Sequence, residues 1–451
     1  MVSQERSTQT DLSILDSRQF CGFKLKDALK FISALLLPLA LGVFTVVITF
    51  EQQRAAKQQR IEEQLAAEQL RELERNLNDE RYRNDVLDIY IRDLATLLKD
   101  GNGSLTSNDV IATVAQLKTV NIFRQLDPSR NNRIIRFLYE TKALSEKDGY
   151  QSLDLSKAKL RDIDFRDTAA HEKQLEQLSL TGIFLMNTTF TGIEMAHVNF
   201  ARTQFDTANF TSVQIRNGDF SSTKFHNVDF SSTRLDTVGF SSAELNYINF
   251  SFSHLNNVDF AFATLKNVDL SSVVFNNVDF SSALHYNLNF SYSSLIKTQF
   301  SSTTMHHVNF AFANLNYADF SYITTSDADF QKTSCVAVSF SHANLSHSSI
   351  WQSNARRALF IEADLTNVNF FRAILYKAVF IGSNISDDQL QTALSIEDAR
   401  LPNGTIGRDA NLINNGHAAC NISPLLSWTM QSGNITTMIS DNDTSNCRFV
   451  P

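Results

Sequence analysis

Between Leu155 and Leu390 a large apolar residue returns every five positions, and this spacing constrains the fold more than any other feature of the chain. Phe200, Phe205, Phe210, Ile215, Phe220, Phe225, Phe230, Leu235, Phe240, Leu245 and Phe250 keep that register. Two positions before each centre stands a small or β-branched residue, such as Val198, Thr203, Ala208, Val213, Gly218 or Thr223. Directly before it stands Asp or Asn in many cases, as at Asn199, Asn209, Asp219, Asp229, Asp259, Asp269 and Asp279. A period of five suits neither a helix, which repeats every 3.6 residues, nor a strand, which repeats every two. It suits a chain that turns a corner every five residues. The large residue and the small one two before it then point inward, and the other three face solvent. Four such sides close a coil of twenty residues, and the next coil stacks on it at β spacing.

The full pattern is small residue, Asp or Asn, Leu or Phe, then two polar residues. Val228-Asp229-Phe230-Ser231-Ser232 fits it throughout, and Ala313-Asn314-Leu315 and Ala363-Asp364-Leu365 fit its core. In this the stretch resembles the pentapeptide-repeat family. The resemblance implies a mainly β fold, a right-handed quadrilateral β-helix, over residues 151–390. It implies a fold far more than an activity.

A twenty-residue coil sorts the centres into columns. Phe200, Phe220, Phe240, Phe260, Phe280, Phe300, Phe320, Phe340, Phe360 and Phe380 are expected on one side. Phe210, Phe230, Phe250, Leu270, Phe290, Phe310, Phe330, Ile350 and Phe370 are expected opposite. The two remaining sides carry mostly Leu, among them Leu235, Leu255, Leu295, Leu245 and Leu265. Rings at the β spacing are expected to sit offset, as aromatic pairs prefer.

Ahead of the repeats the chain reads as four segments. Residues 1–27 form a polar tail. Residues 28–50 contain Phe31–Phe50, a run without a charged side chain that is long enough to cross a bilayer, with Pro38 inside it. Residues 51–99 read as a long polar helix with a thin stripe of Ile61, Leu65, Leu70, Leu73 and Leu77, thickened later by Val86, Ile89, Tyr90, Leu94, Leu97 and Leu98. The stripe is not a sustained heptad. Residues 100–150 read as a helical cap: a break at Gly101-Asn102-Gly103, a helix capped by Ser107, a second break at Asp127-Pro128, and a helix near Asn131–Leu144. The segment from Phe123 to Asp127 and that from Ile135 to Glu140 resemble the helical region that precedes the repeats in membrane-anchored members of the family. Such a region is expected to cover the open end of the β-helix.

After the repeats, Leu390, Ala393, Ile396 and Ala399 leave the register, and the runs Ser386–Leu390 and Leu401–Thr405 resemble the closing segment of family members, which implies a short helix and then a turn, with residues 391–405 as the closing segment. Residues 406–451 are rich in Asn and too few to bury a core alone. Cys420 and Cys447 are candidates for a disulfide there, with two free thiols as the alternative. N-glycosylation sequons lie only after the apolar run. Those at Asn403, Asn421, Asn434 and Asn442 count most, because at Asn209, Asn249 and Asn289 the repeat itself writes Asn-Phe-Ser/Thr. With a slight excess of basic residues before the run, they favour a cytoplasmic N-terminus and an extracytoplasmic repeat segment.

No phosphate-binding Gly loop, paired Cys-X-X-Cys, His-Glu-X-X-His or nucleophile elbow is present in the sequence. Catalytic, cofactor-binding and metal-ligating residues are therefore expected to be none, and no cofactor is implied. His285 takes a centre position between Leu265 and Met305 and is expected to be a neutral histidine bonded to backbone or a local bulge. Ser dominates the outward surface. Phe252, Tyr292 and Phe312 interrupt it at equivalent outward positions and form the candidate partner surface, with Phe262 and Tyr322 on the opposite side. The expected function is that of a single-pass, membrane-anchored, non-enzymatic rod presenting a rigid surface to a protein or glycan. Two alternatives stand beside it. Some members of the family resemble DNA and bind topoisomerases. The net charge of −8 makes nucleic acid an unexpected partner, and both the interspersed basic residues such as Lys224, Arg234, Lys266 and Lys297 and the membrane span weigh against such mimicry. The other alternative is glycan binding through the C-terminal tail around Trp428.

Overall fold

The computed structural model describes residues 19–20, 23–146, 151–169, 173–409, 436–439 and 447–450. The chain divides into two compact units, Met1–Asp85 and Val86–Pro451.

One helix, α1 (Leu25–Asp100), contains both the apolar run and the polar segment that were expected as separate elements. Within the first unit, every residue from Phe31 to Phe50 is exposed. The run is long and apolar enough to cross a membrane. Its two threonines bond within the helix, Thr45 Oγ1 to the Leu41 carbonyl (2.6 Å) and Thr49 Oγ1 to the Thr45 carbonyl (2.7 Å). Their polarity is thus satisfied without water. Ile61, Leu65, Leu70, Leu73 and Leu77 are exposed as well.

The second unit begins with the last turns of α1, where Leu87, Tyr90 and Leu94 are buried. Tyr90 donates or accepts a hydrogen bond with Thr119 (2.7 Å) on α2 (Asp109–Phe123). Two helix boundaries differ from the sequence reading. Asn108, not Ser107, caps α2, its Oδ1 accepting from the Val110 N–H (2.8 Å). The Ser107 hydroxyl instead donates to the Gly101 carbonyl (3.1 Å). Asp127-Pro128, read as a break, starts α3 (Pro128–Glu140): Asp127 caps it and Pro128 fills its first turn, where a missing N–H costs nothing.

From Lys159 onward the chain winds as a solenoid of parallel strands gathered into a nine-stranded and a six-stranded sheet. Each rung pairs with the residue twenty positions on: Leu235 with Leu255, Leu245 with Leu265, and His285 with Met305. The ladder departs from twenty at both ends. Its first steps are twenty-five, as in Leu160↔Leu185, and the additional residues include the short helix α4 (Phe165–Thr168). Its last are twenty-one, as in Ile374↔Ser395 and Val379↔Arg400. Pairing therefore runs past residue 390.

The inside is filled as the columns require. Phe200 stacks on Phe220 (5.2 Å between centroids), and the contact repeats through Phe240, Phe260, Phe280, Phe300 and Phe320. Opposite, Phe165 stacks on Phe190 across the longer first step, followed by Phe210, Phe230 and Phe250, and Phe290 stacks on Phe310 beyond Leu270. The two columns meet edge to face, as Phe230 and Phe240 do at 6.1 Å and 90°.

Both ends of the ladder are covered. Near its start Ser145 bridges Leu178, and the Tyr139 hydroxyl on α3 accepts from the Glu176 N–H (2.7 Å). At its end α5 (Asp387–Thr392), opened by a capping box of Ser386 and Gln389, buries Leu390. The Gln389 side chain donates to the Leu365 and Val368 carbonyls (2.8 and 2.9 Å). Thr436–Ile439 pairs antiparallel with Cys447–Val450.

Candidate interaction surface

The corners decide what the outer surface can display. Many turns close by a hydrogen bond from the residue three after a centre to the centre's carbonyl, as Thr223 N to Phe220 O (3.2 Å). The residue two after the centre takes a positive φ, for example 55° at Ser222 and 61° at Phe252. This left-handed conformation disfavours β-branched side chains, and Ser, Asn and aromatics occupy many of these positions. The preference for Asp and Asn just before the centre has a separate cause. Their side-chain oxygen accepts from the N–H two residues on, as Asp219 from Ser221 (2.8 Å), Asp229 from Ser231 (2.8 Å) and Asn249 from Ser251 (3.0 Å).

Phe252, Tyr292 and Phe312 all point outward, with 65%, 62% and 41% of their surface exposed. They do not form one continuous strip. Tyr292 and Phe312 stack at 4.9 Å and 6°, but Ser272 occupies the rung between Phe252 and Tyr292. The stack extends in the other direction through residues the sequence reading missed. Lys332 Nζ lies 5.1 Å from the Phe312 ring centre and 5.2 Å from that of Trp351. The signal was the spacing of twenty from Phe312 to Lys332, overlooked because only aromatics were followed. On the opposite side Phe262 stands exposed, and Tyr322 stacks on His342 (4.7 Å), whose Nδ1 lies 3.3 Å from Glu362 Oε2.

His285 is wholly buried, and neither ring nitrogen has a hydrogen-bond partner. It is therefore not bonded to backbone, and its unbroken pairing with Leu265 and Met305 excludes a bulge. Its ring meets Phe280 edge-on at 5.4 Å. Burial alone pushes its pKa down to about 3, so it is neutral at pH 7. Cys335 is a buried core thiol, 3.0 Å from Thr333 Oγ1, and burial pushes it up to about 12. Among the described residues no cluster of three or more His, Cys, Asp or Glu is placed to hold a metal. Cys420, Asn421, Asn434 and Asn442 lie outside the described residues, and Cys447 is described only as part of its strand. Asn403 lies at an exposed turn.

Comparison with known proteins accords with this geometry. The family described as pentapeptide repeat region matches residues 193–270, and pentapeptide repeats (8 copies) match 286–322, 339–375 and 352–387. These residues are pentapeptide repeats. Solved pentapeptide-repeat structures resemble parts of the chain. HetL of the cyanobacterium Nostoc sp. strain PCC 7120, involved in heterocyst differentiation regulation, is 20% identical. The match covers 54% of this chain and 97% of HetL, with a TM-score of 0.27. A thylakoid-lumen protein of Arabidopsis thaliana is 22% identical over 27% of this chain and 79% of its own, with a TM-score of 0.20. Full-length QnrB1, a plasmid-mediated fluoroquinolone resistance protein, is 16% identical over 49% of this chain and 93% of its own, with a TM-score of 0.23. At these identities and scores the likenesses add nothing to the pentapeptide-repeat assignment. No curated protein matches the chain.

Proposed function

We propose that this pentapeptide-repeat protein is a membrane-anchored, non-enzymatic scaffold whose coils hold a rigid docking surface for a partner protein, centred on Tyr292, Phe312, Lys332 and Trp351. The observation that carries the reading is this outward stack of three aromatic rings and one cation on a surface otherwise dominated by Ser and Asn. Aromatic and cationic side chains held still by their neighbours supply contact area at little entropic cost. A protein suits the stack better than a glycan. Phe312 has Tyr292 against one face and Lys332 over a face, so it offers edges and charge rather than an open platform for a sugar ring. Phe252 extends the same side of the coils. The apolar run Phe31–Phe50 supplies the anchor, and the sequons that follow it support an extracytoplasmic repeat segment.

The DNA-mimicking alternative fits less well. A mimic needs an unbroken field of negative charge, whereas Lys224 pairs with Glu244 (2.8 Å) and Arg216 approaches Glu194 (3.6 Å) on neighbouring coils. The test is affinity capture from solubilised membranes with the full chain and with a variant carrying Tyr292→Ser, Phe312→Ser and Lys332→Ser. A set of partners lost with the variant, at unchanged melting temperature, is expected. An identical set from both proteins removes the proposed surface.

A further inference from the structure

The tight turn that closes the coils has the features of a covalent modification site. Arg400 bridges Ile406 antiparallel, Leu401 N bonds to Thr405 O (2.8 Å), and Gly404 N bonds to Leu401 O (2.9 Å). Gly404 takes a φ of +83°, which suits glycine. Asn403 sits at the tip of this hairpin, and no residue from 402 to 406 is buried. Asn403 Oδ1 accepts from both the N–H (3.0 Å) and the hydroxyl (2.6 Å) of Thr405. Its Nδ2 has no partner among the described residues.

The other described sequons are built differently. In the repeats the middle residue of the tripeptide is a core centre: Phe210, Phe250, Phe290, Leu345 or Ile385, all buried. Several of the asparagine amides are also committed to ladders between coils. Asn289 Nδ2 donates to Asp269 Oδ1 (3.1 Å), and Asn384 Nδ2 to Asp364 Oδ1 (2.7 Å). At Asn187 the middle residue, Thr188, is buried and Nδ2 is bonded to Asp162. At Asn102 the Gly103 N–H terminates α1 on the Leu98 carbonyl (2.7 Å), and Ser104 is half-buried with its hydroxyl turned to Thr106. A saccharide on Asn289 or Asn384 would break a ladder bond between coils. One on Asn403 would project into solvent and leave every coil contact in place.

We infer that Asn403 is an N-glycosylation acceptor, modified from a lipid-pyrophosphate-linked oligosaccharide. The Nδ2 atom attacks the anomeric carbon of the donor, and the C–N bond forms as the C–O bond to pyrophosphate breaks. Nδ2 loses one proton, and the lipid pyrophosphate departs. The inference rests on the extracytoplasmic placement proposed above, because the donor and its transferase face that side of secretory membranes.

The test is synthesis of the full chain in the presence of microsomes derived from endoplasmic reticulum, with two readouts on the folded, detergent-soluble fraction. Endoglycosidase-sensitive mobility steps count glycans, and protease added outside intact vesicles reports topology. Asn403→Gln and Thr405→Ala are expected to lose one step relative to the unmodified sequence. Thr405→Ser and Asn289→Gln are expected to keep the full number. A shielded C-terminal segment with no step lost in Asn403→Gln overturns the acceptor and leaves the topology standing. Digestion of that segment from outside overturns both.

Discussion

Single side chains at centre positions carry the strongest stability predictions. Phe280 is buried and stacked on both sides, against Phe260 at 4.9 Å and Phe300 at 5.1 Å. Phe280→Ala is expected to destabilise by roughly 3–5 kcal/mol, through lost burial and the cavity left behind; a thermal or denaturant melt checks this. His285 makes the same core sensitive to acid. Its folded pKa of about 3 lies below the unfolded value of about 6.5. Below pH 6.5 the unfolded chain takes up a proton that the folded chain refuses. Stability therefore falls by roughly 1.4 kcal/mol per pH unit as pH drops from 6.5 towards 3. His285→Leu is expected to raise the melting temperature at pH 7 and to flatten this part of the profile. The columns were legible because the large core residue recurs at every fifth position, so the sequence itself records who stacks on whom. The state of His285 was not: whether a buried nitrogen finds a partner depends on where backbone carbonyls point.

At the scale of elements, the coil is the unit of repetition. Each coil contacts its two neighbours, so one coil is expected to be dispensable if its removal keeps the columns aligned. Deletion of residues 211–230 sets Phe210 directly before Ser231 and preserves the order of sides. It is expected to leave a cooperative melt close to that of the full chain. Deletion of 211–215 instead brings Phe columns over Leu columns and is expected to lower the melting temperature clearly; equal melts would show that the columns are not what aligns the coils. The sequence reading misjudged elements where the repeat is absent. Asp127-Pro128 reads equally as a stop or a start, and only the Asp127 side chain bonded to the Arg130 N–H (3.2 Å) decides for the start. The twenty-five-residue first step was hidden because five additional residues leave the register of fives intact. Lys332, twenty residues after Phe312, was missed because only the aromatic residues were followed from coil to coil.

For the molecule as a whole, the apolar run of α1 predicts how the chain partitions. The full-length chain is expected to stay with membranes through alkaline washing and to require detergent. A variant lacking Phe31–Phe50 is expected in the supernatant, and sedimentation followed by immunoblotting distinguishes them. The covered ends of the ladder have a consequence for how many chains assemble. A parallel ladder with a fixed rung spacing has two complementary edges, and a bare trailing edge of one copy would accept the bare leading edge of the next. Gln389 occupies the Leu365 and Val368 carbonyls, so this part of the trailing edge offers those acceptors to no second copy. Without α5 at one end and α3 at the other, the same coils would be expected to offer both edges to further copies and to grow as a fibre.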